Sequence, residues 1–351
     1  MKENIFAQRL EAFVKVLKKK KIDLALVRNQ ANVRSLTGVD CDNVCLTVTP
    51  KGEVVFFTDF RYVPMCHRVA PWMKVGEIKK LKDAKGYPVK KPAKIGYEGT
   101  ISAAKYLEWT KLFRKAKFVD IDGEVKALRA VKTADELEKL RAAEKLNDEI
   151  WSEAQKSFRP GMTEREMARV IQHLMIERGE GEAFETIVCV GANAAECHHV
   201  PDDTKWNGEE PILVDMGVKL NGYCSDMTRN YVPRAAGADY RRIYSTVLEA
   251  NELGIRSVKP GITSGELDRI VRSFLAKKGF KKEFGHSLGH GVGIEIHESP
   301  WAAKKQKTVL KPGMSVTIEP GLYVEGKYGV RIEDLVLVTE DGCEVISHSA
   351  K

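Results

Sequence analysis

Apolar residues recur along the chain with two different periods. From Phe6 to Leu17 they recur at helical spacing, whereas Leu24 to Val27 is a short apolar run typical of a buried strand. Two further runs, Cys45 to Thr49 and Val54 to Thr58, flank Pro50, Lys51 and Gly52 and predict a hairpin. Helices and strands therefore alternate through the N-terminal third of the chain.

A long amphipathic helix is predicted after Val131. Thr133 and Glu136 have the spacing of a capping box, in which each side chain bonds the backbone of the other at the start of a helix. The apolar residues that follow keep helical spacing: Leu137, Leu140, Ala143, Leu146, Ile150 and Ala154. Because the pattern changes here, we predict a boundary near residue 130, with domains at 1–130 and 131–351.

The C-terminal part contains an internal repeat. Residues 159–179 read RPGMTEREMARVIQHLMIERG and residues 259–279 read KPGITSGELDRIVRSFLAKKG, so Pro, Gly, Thr, Glu, Arg and Gly recur at an offset of 100. Each copy predicts a Pro-Gly turn, a capping box and a helix closed by glycine. The C-terminal part therefore has two related halves.

The likeness between the halves continues downstream. The tetrapeptide that begins at His198 and the one that begins at His297 both read His-x-x-Pro. Each is followed by a hydrophobic strand with an acid-x-Gly triplet, beginning at Asp215 or Glu319, and then by a second acid, Asp226 or Glu333. Related halves usually pack about a pseudo-twofold axis, which would bring both acidic hairpins to one central site.

The turns predict the register of these two hairpins. Asn221-Gly222 is a two-residue hairpin signal that places Gly217 opposite Asp226 and Asp215 opposite Thr228. Both carboxylates then lie on one face of the sheet. In the second hairpin, a three-residue turn over 326–328 would place Gly321 opposite Glu333.

The acids at Asp215 and Glu319 interrupt apolar runs that should be buried (ILVDMG and VTIEPG). A buried carboxylate is costly unless an ion or a proton compensates it. A solvated acidic strand face is the alternative. Four converging carboxylates favour two metal ions that share bridging ligands, which would make the protein a metal-dependent hydrolase.

The segment FGHSLGHGVGIEIHESP supplies candidate nitrogen ligands. His290 lies between Gly289 and Gly291, where a bare backbone would permit close approach to a metal. His286 is either a support for the metal site or a structural residue. A phosphate-binding loop is the rival interpretation, but the third glycine of that motif would fall on Ile294 and no Lys-Ser/Thr ending follows.

Composition narrows the class of protein. The 351 residues contain no run of 18 apolar residues, and charges interrupt the N-terminal segment, so we expect neither a signal peptide nor a membrane span and infer a cytoplasmic location. Seven dispersed cysteines indicate free thiols in a reducing compartment. The net charge of +8 comes from dispersed lysines, and the run Lys18 to Lys21 falls at a helix end, so no nucleic acid is expected as a partner.

The site motifs resemble a known family. The strings VDMG, SDMTR, GHGVG, IEPG and GVRIED match, in order, the five metal-binding motifs of the pita-bread metallopeptidases. NVRSLTG at 32–38 and FFTDFRYV at 56–63 resemble the creatinase-type N-terminal domain of Xaa-Pro dipeptidase (prolidase) and aminopeptidase P. The resemblance implies an α+β fold: a C-terminal pita-bread domain of two pseudo-twofold-related α/β halves, preceded by a smaller creatinase-like α/β domain.

The resemblance also implies roles for the metal ligands. Asp215 would bind one metal ion, Asp226 and Glu333 would bridge both ions, and His290 with Glu319 would complete the shell of the second. The ions would be Mn²⁺ or Co²⁺ before Zn²⁺ or Fe²⁺, since a shell of four carboxylates and one imidazole is rich in oxygen. A metal-bridging hydroxide would attack the scissile carbonyl, with Glu319 as general base or proton shuttle.

Three further residues are implied to contact substrate. His198 matches a histidine that contacts substrate, and His297 matches one that stabilises the tetrahedral intermediate. A pair of satisfied core histidines is the alternative for both. Arg331 is implied to support the metal site or to bind the carboxylate of a dipeptide. Cys197 stands where the family commonly has proline and Asn230 where it commonly has threonine, so the resemblance leaves the substrate rim open.

The expected activity is that of an exopeptidase that hydrolyses Xaa-Pro bonds in short peptides with proline at the second position. The resemblance further implies a homodimer. Three alternatives remain: a methionine-aminopeptidase-like exopeptidase, a creatinase-like amidinohydrolase and a non-catalytic binding protein on the same fold. The sequence leaves open whether the substrates are dipeptides alone or longer peptides as well.

Overall fold

The structure is a computed structural model that describes residues 5–351; the first four residues of the predicted domain 1–130 lie outside the described part. The chain divides into two compact units, one ending at Arg129 and one spanning Ala130–Lys351. This division lies one residue from the predicted boundary. None of the helices in the described part is long and apolar enough to cross a membrane.

The first unit is built on one mixed sheet of six strands in the order β4-β3-β2-β1-β5-β6. Strand β1 pairs antiparallel with β2 and β2 with β3, whereas the β3–β4, β1–β5 and β5–β6 pairs are parallel. The strands are β1 Leu24–Val27, β2 Val44–Val48, β3 Val54–Thr58, β4 Lys74–Glu77, β5 Lys94–Tyr97 and β6 Lys117–Asp120. The helices are α1 Ile5–Lys20, α2 Gln30–Thr37, α3 Val63–Val69, α4 Ala103–Leu112 and α5 Asp122–Ala130.

The local predictions for this unit are confirmed, with shifts of a few residues at the ends of elements. Helix α1 ends in Lys18, Lys19 and Lys20, whose charges complement the carbonyl end of the helix dipole. Strands β2 and β3 form the predicted hairpin, and Gly52 takes a positive φ of 85° in its turn.

The second unit contains four long helices and several short sheets. The helices are α6 Ala134–Ala154, α7 Glu164–Arg178, α8 Ala238–Ser257 and α9 Ser264–Lys277. The strands are β7 Ile187–Val190, β8 Ile212–Met216, β9 Lys219–Leu220, β10 Tyr223–Cys224, β11 Met227–Tyr231, β12 Gly289–Gly291, β13 Glu298–Ala302, β14 Ser315–Ile318, β15 Gly321–Val324, β16 Tyr328–Arg331, β17 Asp334–Val338 and β18 Cys343–Val345.

The predicted repeat is visible in the structure. Capping boxes open α6 at Thr133, α7 at Thr163 and α9 at Thr263. The glycines of the two Pro-Gly turns, Gly161 and Gly261, have φ values of 94° and 90°. Each half also packs its own buried apolar cluster, one around α7 and β8 and the other around α8, α9 and β14.

The predicted register of the first acidic hairpin is confirmed. Asp215 pairs with Thr228, and Leu220 pairs with Tyr223 across the Asn221-Gly222 turn. Both turn residues have positive φ, 53° and 68°, as a tight hairpin of this kind requires.

The predicted register of the second hairpin is wrong by two residues. Val324 pairs with Tyr328 and Gly321 pairs with Arg331, so Glu333 does not lie opposite Gly321. The turn occupies 325–327, where Lys327 donates to the Val324 carbonyl and Gly326 takes a φ of 70°. A positive φ is needed at the second turn position, and this requirement sets the register.

Candidate active site

All eight predicted site residues lie around one cavity of about 540 Å³ in the second unit. They come from separate hairpins and loops of both halves: His198, Asp215, Asp226, His290, His297, Glu319, Arg331 and Glu333. The topology therefore brings together groups that are far apart in sequence.

A cluster of three buried ligand-type groups lines part of the cavity. Asp226, His290 and Glu333 present oxygen and nitrogen atoms that all lie within 4.8 Å of one another, and all three side chains are buried. The His290 Nε2 atom lies 3.6 Å from Asp226 Oδ2 and 3.4 Å from Glu319 Oε1. These distances place one imidazole nitrogen between carboxylates from both halves.

Strand β12 fixes the orientation of His290. Its backbone N–H donates to Thr317 Oγ1 at 3.0 Å, and its Nδ1 lies 3.1 Å from the Gly291 carbonyl oxygen. A carbonyl can only accept, so Nδ1 carries the proton and Nε2 offers its lone pair to the cavity. We had expected the flanking glycines to make room for a metal, but they make room for neighbouring backbone. A Cβ at Gly289 would collide with the carbonyl of Thr317, and one at Gly291 would collide with that of Ser299.

Arg331 links the two acidic hairpins. Its Nη2 donates to Asp215 Oδ2 at 2.7 Å, its Nε to Thr228 Oγ1 at 2.9 Å and its Nη1 to the Tyr323 hydroxyl at 2.8 Å. The Thr228 hydroxyl in turn donates a hydrogen bond to Glu333 Oε2 at 2.8 Å. The guanidinium is only 4% exposed and its donors are directed at the protein.

The chain of hydrogen bonds continues from Tyr323 to His286. His286 Nδ1 lies 2.7 Å from the Ser287 carbonyl, so Nε2 is the acceptor for the Tyr323 hydroxyl at 2.9 Å. Burial and the nearby Arg331 cation lower the pKa of His286 to about 4. His286 is thus a neutral acceptor that orients Tyr323, and it contributes no atom to the three-residue cluster.

Fully ionised, these carboxylates would carry more negative charge than the nearby cations of the protein neutralise. Burial raises the pKa of Asp226 and that of Glu333 well above their usual range, and neighbouring carboxylates add to both effects. Burial also raises the pKa of Glu319 to about 8. In addition, the buried Asp215 Oδ1 has no hydrogen-bond partner. These residues fit divalent cations, which would satisfy that oxygen and remove the repulsion.

Two buried asparagines fix the backbone behind the cluster. Asn147 of α6 donates to the carbonyl of Met216, the residue after Asp215. Asn251 of α8 donates to the carbonyls of Ile318 and Ile332, at 2.9 and 3.3 Å. These carbonyls directly precede Glu319 and Glu333, so one helix side chain anchors two acidic segments.

The mouth of the cavity is lined by imidazoles and an indole. The rings of His290 and His297 lie 4.4 Å apart, and His297 stacks on Trp301 with 6.0 Å between ring centroids. His198, His297, Trp301 and Val200 are all exposed to solvent. The alternative that His198 and His297 are core histidines is therefore wrong.

Sequence reasoning missed Thr228, Tyr323 and Trp301. Thr228 stands opposite Asp215 in the predicted register, so its place on the acidic face was a usable signal. Tyr323 pairs with Gly329 and reaches Arg331 along the diagonal, whereas the predicted register would have set Tyr323 directly opposite Arg331. Trp301 reaches His290 through the β12–β13 pairing, which has no local signature in the sequence.

Buried carboxylates, one imidazole and an open cavity above them define a metal-dependent hydrolase. A sequence profile described as metallopeptidase family M24 matches residues 138–340, and one described as the creatinase/prolidase N-terminal domain matches residues 9–131. The chain belongs to metallopeptidase family M24. The predicted α+β fold of the pita-bread type, with a creatinase-like N-terminal domain, and the predicted metallo-exopeptidase activity are confirmed.

Similar proteins cover nearly the whole chain. Xaa-Pro dipeptidase of Pyrococcus furiosus is 34% identical over 355 residues, 98% of this chain and 99% of that protein. The structure of Xaa-Pro dipeptidase from Bacillus anthracis matches with a TM-score of 0.93 at 33% identity and covers 99% of this chain and 98% of that chain. The structure of X-Pro aminopeptidase from Thermotoga maritima matches with a TM-score of 0.85 at 32% identity, covering 94% and 96%.

Proposed function

We propose that this chain hydrolyses the bond between an N-terminal residue and a following proline in short peptides. The observation that carries the proposal is the buried cluster of Asp226, His290 and Glu333 beneath an open cavity rimmed by His297 and Trp301. Two similar proteins, an Xaa-Pro dipeptidase and an X-Pro aminopeptidase, suggest the substrate class.

The five predicted ligands Asp215, Asp226, His290, Glu319 and Glu333 are the residues that would hold two divalent ions. Bound there, the ions would supply a nucleophile derived from water near neutral pH and polarise the scissile carbonyl. We propose Mn²⁺ or Co²⁺ because the donor set is rich in oxygen and has no sulfur. Elemental analysis of protein purified without added metal tests this choice, and zinc bound through cysteine would contradict it.

The protein's own groups handle the protons and the substrate. Glu319 lies beside His290, and we propose that it takes a proton from attacking water and delivers it to the leaving proline nitrogen. His297 donates a hydrogen bond to the developing oxyanion. His198, which also lines the cavity, binds the substrate.

The rim is compatible with a proline ring. The imino nitrogen of an Xaa-Pro bond has no N–H, so a pocket for it gains nothing from a nearby hydrogen-bond acceptor. The indole of Trp301, which is 42% exposed, offers an apolar face beside His297. We infer that the ring packs there while the free amino group of the substrate points to the carboxylate cluster.

A substrate panel tests the proposal. Purified protein with Mn²⁺ should cleave Leu-Pro and Gly-Pro, and should hardly cleave Pro-Leu or Leu-Leu. Met-Ala and creatine belong in the same panel because they report the methionine-aminopeptidase and creatinase alternatives. Cleavage of Met-Ala or creatine in preference to Leu-Pro would overturn the proposal, and no turnover of any substrate would favour a binding protein.

Leu-Pro-Gly in the same panel separates a dipeptidase from an aminopeptidase that accepts longer peptides.

We further propose a homodimer and a cytoplasmic location. In a dimer, a loop of the partner could block the pocket beyond proline and so select for length. Sedimentation of the 39.3 kDa chain as a monomer at working concentration would remove that explanation.

A further inference from the structure

Glu164, the first residue of α7, is fully buried and its two carboxylate oxygens are saturated by protein donors. Its Oε1 accepts from Val190 N at 2.6 Å and from Asn193 Nδ2 at 2.9 Å. Its Oε2 accepts from Asp202 N at 3.1 Å and lies 2.7 Å from His199 Nε2. Glu164, His199 and Asp202 could together hold a metal by proximity, but a carboxylate with four donors is already satisfied.

His199 is the most directional of these partners. Its Nε2 faces Glu164 and its Nδ1 lies 3.1 Å from Glu196 Oε2, so both ring nitrogens face carboxylates. Burial alone lowers the pKa of His199, but the hydrogen bonds to Glu164 and Glu196 outweigh it and raise the pKa above its usual value. When the ring is protonated, both nitrogens donate, and His199 and Glu164 form a buried ion pair.

The loop held by Glu164 forms part of the cavity wall. It runs between β7 and β8 and contributes Cys197, His198 and Val200 to the lining. The amides of Glu164 and Arg165 also donate to the carbonyls of Thr204 and Asp202, at 3.0 and 3.1 Å. The first turn of α7 therefore holds the loop by both side chain and backbone. The held residue His199 directly follows His198, which lines the cavity.

The second half of the repeat shows that the helix itself does not need Glu164. Ser264 occupies the corresponding position after the cap Thr263, and α9 forms with the same capping box as α7. In that half, the residue after the cavity histidine His297 is Glu298, which pairs with Lys132 at 3.4 Å in a fully buried contact. Each half thus has its own buried ion pair next to its cavity histidine.

We propose that Glu164 is a positioning residue which, through His199, fixes the backbone at His198 and so places that imidazole over the cavity. The consequence for turnover rests on the proposed function, because the substrate contact of His198 belongs to it. The contact between Glu164 and the loop stands on the geometry alone. A buried carboxylate with four donors resists displacement, since any movement would leave several polar groups unsatisfied.

Kinetics of Glu164→Gln test the proposal. Glutamine keeps the size, but it replaces one acceptor oxygen by an NH₂ group that faces N–H donors. We expect kcat/KM for Leu-Pro to fall at least about tenfold, with metal content unchanged. The double variant with His198→Ala should be no worse than His198→Ala alone, because both changes remove the same contact. His199→Gln removes the other partner of the Glu164–His199 pair and should lower kcat/KM to the same extent. This second variant keeps the test available if Glu164→Gln fails to fold.

Glu166→Gln is the matched control. Glu166 lies in the same helical turn, bonds only its own cap Thr163 in the capping box and is exposed, so its loss should leave kcat/KM within about twofold. Wild-type kinetics in both Glu164→Gln and His199→Gln would overturn the proposal. Losses that add to that of His198→Ala, or loss of metal in step with activity, would overturn it as well.

Amide hydrogen exchange gives a readout that does not depend on turnover. In metal-free protein, Glu164→Gln should speed exchange at Val190 and Asp202 at least about tenfold and leave the amides of α9 unchanged. Unchanged exchange at Val190 and Asp202 would overturn the proposal. If the wild-type protein fails to cleave Leu-Pro while the loop-specific exchange appears, the proposed function fails and the positioning role of Glu164 stands.

Discussion

Arg331 and Asp215 form a largely buried ion pair in which Nη2 of the guanidinium lies 2.7 Å from Oδ2 of the carboxylate. The other oxygen of Asp215 has no partner. The same guanidinium also bonds Thr228, which bonds Glu333. One cation therefore orients two of the proposed metal ligands, and it leaves on Asp215 a free oxygen that a metal can use.

Arg331→Ala should lower kcat/KM on Leu-Pro and on Leu-Pro-Gly by the same factor, of at least about a hundredfold. Removing the cation leaves Asp215 and Thr228 without their shared donor, and the loss of one partner of a buried ion pair costs about 3–5 kcal/mol. Parallel kinetics on the two peptides, with metal content measured, check this. A loss confined to Leu-Pro would instead show that Arg331 binds the carboxylate of a dipeptide. Arg331→Lys should also fail to restore activity, because lysine lacks the fork that reaches three acceptors.

Glu319→Gln and His290→Ala should each abolish turnover, with a loss of at least about a thousandfold, while the circular dichroism spectrum stays that of the wild type. The first variant removes the proposed proton carrier, and the second removes the one imidazole of the cluster. Glu325→Gln is the control, since Glu325 is exposed in the β15–β16 turn and should leave activity unchanged. Full activity of either site variant after dialysis against a chelator would remove these residues from the mechanism.

Most of the site could be predicted from sequence because its residues lie in short-range patterns. The Asn221-Gly222 turn specified the register of the first hairpin, and the repeat indicated that the second half would bring its own acids to the same place. An acid inside an apolar run, as at Asp215 and Glu319, has few stable explanations other than an ion or a proton.

The rest of the site depends on contacts that no local pattern specifies. The turn at Gly326 allowed two registers, and the observed one places Arg331 opposite Gly321 and moves Tyr323 from a position opposite Arg331 to one opposite Gly329. The glycines around His290 look from sequence like space for a metal, yet they accommodate neighbouring backbone. Glu164 looked like an ordinary residue of a first helical turn, and only the path of the loop gives it four donors.

Asn251→Leu should destabilise the protein more than Asn147→Leu. Both side chains are buried, but Asn251 donates to two carbonyls and Asn147 to one. Each buried carbonyl left without its donor costs about 1–3 kcal/mol. Chemical denaturation of the two variants in parallel measures the difference in the free energy of unfolding, and equal losses would contradict it. Because the Asn251 carbonyl partners precede Glu319 and Glu333, we also expect the Asn251 variant to bind metal more weakly.

The metal-free protein should lose stability as the pH rises from about 6.5 to about 8. Glu144 and Glu319 have pKa values raised to about 8, and those of Asp226 and Glu333 are raised well above their usual range, in each case chiefly by burial. In this window the unfolded chain has released these protons and the folded chain still holds them, so the folded state binds more protons and its stability falls with pH. Below about pH 6.5, His286 and His290 oppose this trend, because burial lowers their pKa values to about 4. Their imidazoles bind protons in the unfolded chain before they do so in the folded one, so their contribution to stability falls as the pH falls.

Denaturation of chelator-treated protein at pH 6.5, 7.25 and 8, with and without Mn²⁺, measures this dependence. Divalent ions bind the ionised carboxylates, so the stability gained from added metal should increase with pH. Glu144→Gln removes one of the titrating groups and should flatten the metal-free slope by at most about 1.4 kcal/mol per pH unit. The Glu144 carboxylate accepts a hydrogen bond from the backbone N–H of Asp226. The variant therefore also reports whether Glu144 titrates together with the carboxylates of the cluster. A metal-free protein whose stability rises between pH 6.5 and 8 would show that these carboxylates are already ionised in the fold.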